Sequence, residues 1–63
     1  MERKLTPRQR QICDLLIQGL GNKQIAAQLG ICTNTVKAHL TRIYLWLDVQ
    51  NRRELAERYR ATL

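Results

Sequence analysis

Lys37, Ala38 and Thr41, with Asn34 and Arg42 beside them, are the side chains best placed to do chemistry, and that chemistry is hydrogen bonding to acceptors. They belong to the run CTNTVKAHLTRIYLWL, residues 32–47. In it Val36, Leu40, Ile43 and Leu47 recur at steps of four, three and four, which places them on one face of a helix. Asn34, Lys37, Ala38, Thr41 and Arg42 fall on the opposite face. These are small or hydrogen-bonding groups with two fixed positive charges, and no acidic residue lies between Thr33 and Leu47. Such a helix suits insertion into a groove lined with acceptors. The same pattern also describes an amphipathic surface helix whose charges are merely solvated.

Catalysis is not expected. The chain has no paired carboxylate, no nucleophile with a base at hand and no glycine loop that would cradle a phosphate. Cys13, Cys32 and His39 would make three metal ligands without the paired spacing that zinc sites use. No metal and no cofactor are therefore expected, and both cysteines read as buried free thiols.

The elements that must hold the polar face can be read in order. Residues 1–4 are charged and aperiodic, a flexible start. Leu5-Thr6-Pro7-Arg8-Gln9 then combines a capping threonine, a proline at the first helical position and a Thr-x-x-Gln capping box. Ile12, Leu15, Leu16 and Leu20 carry that helix's apolar stripe, and the element spans about 7–19. Asn22 is a candidate N-cap for the next helix, 22–29, where Ile25, Ala26 and Leu29 make a narrow apolar face. The methyl group of Ala26 lets another helix approach closely. Gly30 suits the positive φ that ends a helix. The helix 33–47 follows after a short turn, giving a helix-turn-helix order. A fourth helix, 51–61, opens on Asn51 with Glu54 completing a second capping box, and carries Leu55, Ala56, Tyr59 and Leu63 on one face. Arg52 and Arg53 in its first turn oppose the helix dipole, which fits groups placed for a partner, phosphate or an acidic neighbour, and equally fits ordinary surface arginines.

Composition agrees with a single small domain. Sixty-three residues, 44% of them hydrophobic, exclude a disordered tail, and at this size folding hides only about 60% of the unfolded chain's surface. Eleven Lys and Arg against five Asp and Glu give a net charge of +6, which attracts polyanions by releasing their condensed counterions. The basic residues are spread over several helices and no long apolar segment or signal peptide is legible. A membrane partner is therefore not expected, and a soluble, cytoplasmic protein is.

These residues also resemble a known family. Leu5-Thr6-Pro7-Arg8, Gly19-Leu20-Gly21-Asn22-Lys23-Gln24-Ile25-Ala26, Leu29-Gly30-Ile31, Thr35-Val36-Lys37-Ala38-His39 and Asn51-Arg52 look like the LuxR-type (GerE, or NarL/FixJ C-terminal) DNA-binding domain. The likeness runs over about residues 5–62 in order and without a gap. It implies an all-α, four-helix helix-turn-helix domain over 5–63 that acts as a transcriptional regulator's output domain on the bacterial nucleoid. Its third helix would enter the major groove of double-stranded DNA. By that resemblance Lys37, Ala38 and Thr41 face base edges, and Lys23, Thr33, Asn34, Thr35 and Arg42 face phosphates. The last helix would contribute to a homodimer: burial against the first helix accounts for part of the Leu55, Ala56, Tyr59 and Leu63 face, and apolar surface left exposed there would be the dimer patch. RNA polymerase is a further candidate partner, and signal input is expected to lie outside this chain.

The chain also departs from the pattern. Gln9 and Gln11 stand where acidic residues are frequent, Trp46 where a basic one is common, and Asp48 where glycine is common. Cys32 replaces the usual serine before the third helix, which weakens that cap and makes Thr33 an alternative. His39 reads as structural or as a phosphate partner. Two other functions stay open: a sigma-factor-like promoter-recognition domain, against which TVKAH and the Asn51-Arg52 helix start argue, and a basic adaptor docking on an acidic protein.

Overall fold

Thr6 opens the first helix in the way its neighbours predict. Its hydroxyl accepts from the Gln9 amide at 3.1 Å, and the Gln9 carboxamide accepts from the Thr6 amide at 2.9 Å. Pro7 follows at the first helical position, where its missing donor costs nothing. The computed structural model describes residues 5–63, so the flexible start expected for 1–4 lies outside the described residues. Within them are four helices, α1 (Pro7–Ile17), α2 (Asn22–Leu29), α3 (Thr33–Leu47) and α4 (Arg52–Ala61), and no strand.

The first three helices end in the same way. At Gly19, Gly30 and Asp48 the backbone turns to positive φ (94°, 67° and 55°). The next residue's amide then reaches back to the carbonyl five positions earlier: Leu20 to Leu15, Ile31 to Ala26 and Val49 to Tyr44. These are Schellman closures, in which orphan carbonyls find donors and an apolar residue is folded back onto the helix. The closure at Gly19 is also why α1 stops at Ile17 rather than at residue 19. Asp48 is the exception in chemistry, a residue with a side chain held where glycine is at ease.

The core draws on every helix. Ile12, Cys13 and Leu16 of α1, Ile25 and Ala26 of α2, Val36, Leu40 and Ile43 of α3, and Leu55 and Tyr59 of α4 are buried together with Val49 of the last turn. α2 packs most extensively on α3, while α1 touches all three other helices. Ala26, 4% exposed, supplies the close approach between the two helices of the helix-turn-helix.

Several sequence expectations change here. Gly21, not Asn22, is the N-cap of α2, and its amide donates to Gln24 Oε1 at 2.8 Å. The Asn22 side chain instead accepts from Arg52 at 2.7 Å, and the same guanidinium donates to the Leu20 carbonyl at 2.8 Å. Arg52 is therefore a tie between α4 and the α1–α2 turn rather than a group facing outward to a partner. Arg58 donates to the Leu47 carbonyl (2.9 Å) and Arg60 to the Ile17 carbonyl (3.0 Å). Both are carbonyls at helix C-termini, where a cation is favoured. The α4 cap keeps half of its expected box: Asn51 accepts from the Glu54 amide at 2.8 Å, but Glu54 returns to Gln50 rather than Asn51. Cys13 is buried as expected, whereas Cys32, at a helix end outside the apolar stripe, is exposed.

A side-chain pair also closes α4 onto α1. The Tyr59 hydroxyl donates to Asp14 Oδ1 at 2.6 Å. Burial first, and then the Asp14 hydrogen bond, push the Tyr59 hydroxyl from its ordinary 10.0 up to about 12. Burial, helped by the Asp14 charge, pushes the Cys13 thiol from 9.0 up to about 11. Both groups bind their protons more tightly folded than unfolded. Their contribution is therefore full below about pH 9 and is lost as the pH rises through 9 to 12. Denaturant midpoints should fall across that range, and Tyr59→Phe should flatten the upper part of the fall. Asp48→Gly should raise stability by about 1 kcal/mol by relieving the left-handed strain, or about 4–8 °C in a thermal melt.

Candidate nucleic-acid interface

α3 is fixed from behind. Val36 and Ile43 are fully buried and Leu40 nearly so, which leaves the helix no freedom to rotate and determines which residues it presents outward. Outward are Asn34, Thr35, Lys37, Ala38, Thr41 and Arg42, all exposed, with Thr33 half-buried at the helix start. At 3.6 residues per turn, Asn34, Ala38 and Thr41 form the stripe opposite the core, with Lys37 on one flank and Arg42 on the other. Lys23 is exposed in the first turn of α2. The sequence-predicted base and phosphate residues of α3 are therefore brought onto one surface.

Two features of that surface bear on its chemistry. Asn34, Thr35, Ala38, His39 and Arg42 line an open depression of about 290 Å³, so the half-buried imidazole of His39 joins the polar set from its edge. The Thr41 hydroxyl donates to the Lys37 carbonyl at 3.0 Å, one turn back along the helix. This is the usual back-bond of a helical threonine, and it commits the hydroxyl proton to the backbone.

The helix starts differ in an ordered way. α1 and α4 have side-chain caps, from Thr6 and Asn51, whereas α2 and α3 begin at Gly21 and Cys32 with no side-chain hydrogen bond onto their first-turn amides. Cys32 has the extended backbone of a cap (φ −78°, ψ 151°), and α3 begins directly after it at Thr33, so Thr33 does not take over the capping role. The uncapped starts belong to the two helices of the helix-turn-helix. First-turn amides without a side-chain acceptor, together with the helix dipole, attract anions.

The residues assigned to a dimer seam are not together on the surface. Leu55 and Tyr59 are in the core and Ala56 is half-buried against it, because α4 turns this face to α1 and α3; only Leu63 is well exposed, at 77%. The outward face of α4 carries Arg53 and Glu57 instead, paired at 3.5 Å. Sequence reasoning also missed Leu45. It is 75% exposed and follows Thr41 by four residues, so it extends the Asn34–Ala38–Thr41 stripe. The helical spacing was the signal that could have found it. Trp46, beside it, is 40% exposed.

Comparison with known proteins adds an independent line. The family pattern described as bacterial regulatory proteins, luxR family, matches residues 3–59. The chain is 46% identical over 54 residues to the putative HTH-type transcriptional regulator YhjB of Escherichia coli K12, covering 86% of this chain and 27% of that protein. It is 43% identical over 53 residues to the nitrate/nitrite response regulator protein NarL of the same strain, covering 84% of this chain and 24% of NarL. The crystal structure of the response regulator ChrA, from a heme-sensing two-component system, superposes with a TM-score of 0.92 at 40% identity. That match covers 98% of this chain and 31% of ChrA. The chain thus spans about a quarter of the length of the relatives it matches.

Supplying the missing cap tests the reading of the α3 start. Cys32→Ser should stabilise the domain by about 1 kcal/mol, because the serine hydroxyl can accept from the first-turn amides. A thermal melt unchanged or lowered by this substitution would show that those amides are already satisfied.

Proposed function

The chain belongs to the luxR family of bacterial regulatory proteins, and from that premise we propose that it is the DNA-binding output domain of a transcriptional regulator, reading the major groove with α3. The observation that carries this reading is the single outward surface of α3. It carries Lys37 and Arg42 on its flanks and small side chains between them, and it is locked in orientation by Val36, Leu40 and Ile43. Lys37 is long enough to reach guanine O6 and N7, and Ala38 and Thr41 are short enough to let the helix seat against base edges. The uncapped starts of α2 and α3, with Lys23, Thr33, Asn34, Thr35 and Arg42 around them, suit the phosphates bordering the groove. Family membership favours this function over the sigma-factor-like and adaptor alternatives.

The functional unit we propose is a homodimer on repeated half-sites one helical turn apart, about 10 bp. With Leu55 and Tyr59 committed to the core, the contact falls to the outward side of α4, where Arg53, Glu57 and Ala61 recur at four-residue steps beside exposed Leu63. In a two-fold arrangement Arg53 of each copy can exchange its own Glu57 for the partner's, so the seam would be polar rather than the apolar one first expected. RNA polymerase contact and action at the nucleoid in the cytoplasm belong to the same proposal. Among the described residues no helix is long and apolar enough to cross a membrane.

Duplexes selected from a random pool, followed by anisotropy titrations at several salt concentrations, test this function. Lys37→Ala should cost about 1–3 kcal/mol on the selected site and much less on random duplex. Arg42→Ala should weaken both alike and reduce the slope of log K against log salt by about 0.9, one phosphate's worth. Equal affinity for selected and random duplexes would refute a sequence-reading role.

A further inference from the structure

The proposed function leaves open what the reading stripe recognises, and the chemistry of its middle is unusual for a surface meeting hydrogen-bond acceptors. Thr41 has one hydroxyl proton, and it is donated to the Lys37 carbonyl at 3.0 Å. Thr41 therefore has no proton to offer a base; what remains for one is its methyl group and the oxygen's lone pairs. Ala38, one turn before it, presents only a methyl. Leu45, one turn after it and 75% exposed, presents an isobutyl group. The stripe opposite the core thus runs methyl, methyl, isobutyl from Ala38 to Leu45, about 10 Å of helix or about three base-pair steps. Its cations, Lys37 and Arg42, lie on the two flanks.

An apolar stripe between two cations matches one feature of a major-groove floor. The C5-methyl of thymine is the apolar group displayed there, and acceptors and phosphates lie to either side. We propose that α3 selects its sites by thymine methyl groups, with Thr41 as a specificity-determining residue that acts through its methyl and not its hydroxyl. The inference rests on the DNA-reading function above and specifies its ligand: a half-site with thymines over about three consecutive base pairs, beside a guanine within reach of Lys37. Thr41 remains an acceptor through its lone pairs, so an adenine amino group is tolerated next to the methyl contact.

Replacing thymine by deoxyuridine removes the methyl and leaves every Watson–Crick and groove hydrogen-bonding atom in place. In the duplex selected from a random pool, thymines would be replaced one at a time, and affinities measured for the wild type, Thr41→Val and Thr41→Ser. The expected result is a loss of roughly fourfold at each contacted thymine, confined to about three consecutive base pairs. Thr41→Val, which keeps the methyl and discards the hydroxyl, should bind within about twofold of wild type. Thr41→Ser, which does the reverse, should lose roughly fourfold and become indifferent to uridine at the thymine it no longer touches. Thr41 is exposed, and unchanged helical circular dichroism and melting would confirm that both variants fold. A sequence preference that survives uridine substitution in full, or a Thr41→Val loss as large as that of Thr41→Ser, overturns methyl reading while leaving DNA reading intact. Absence of any sequence preference overturns both.

Discussion

The satisfaction of helix ends is the constraint on which the rest of this structure depends. Each α-helix leaves four amides at its start and four carbonyls at its end without partners, and with four helices among the described residues 5–63 these ends are a large share of the backbone. The carbonyl ends of α1, α2 and α3 are closed by left-handed residues at Gly19, Gly30 and Asp48. Two α4 arginines, Arg58 and Arg60, then add donors to the ends of α3 and α1. The amide ends of α1 and α4 are closed by Thr6 and Asn51. The starts without a side-chain cap are those of α2 and α3, at the surface where an anion is expected. Closure elsewhere keeps a small core in one arrangement, and the open starts retain electrostatic attraction for phosphate.

The same division appears in the charges. A net charge of +6 suggests a uniformly basic body, but arginine is used here in two ways. Arg52, Arg58 and Arg60 turn back onto carbonyls and an asparagine of the domain itself. Lys23, Lys37 and Arg42 are exposed around α3 and the start of α2. The guanidinium's planar array of donors suits the first task, since it can span two acceptors, as Arg52 does between Asn22 and Leu20. The cations that reinforce the fold are thereby a different set of side chains from those that can meet a polyanion.

The α3 surface was legible in the sequence as far as Arg42, because a 3.6-residue period assigns faces without knowledge of the rest of the chain. Leu45 was overlooked although the same period places it in line, since an apolar residue on a polar face reads as belonging to the core. The Thr41 back-bond is local, yet its consequence depends on the outward face being free, and that required knowing that Val36, Leu40 and Ile43 fill the core. The α4 seam went the other way. Leu55, Ala56 and Tyr59 do share a face, but an apolar stripe does not say whether its cover is α1 or a second copy.

By itself the sequence determined the four helices, most of their caps and the division of α3 into two faces. These are set by interactions between residues three to five apart, which local composition encodes: Thr6 with Gln9, Asn51 with Glu54, and, around Gly30, Ile31 with Ala26. Only the tertiary structure decided what each long side chain meets. Asn22 was free to cap α2 until Arg52, thirty positions away, took its oxygen. Tyr59 was a candidate interface residue until Asp14, forty-five positions away, accepted its hydroxyl. Contacts across such separations depend on how helices cross, and the crossing follows from the joint packing of Ile12, Ile25, Ile43 and Leu55 in one small core rather than from any single stretch of chain.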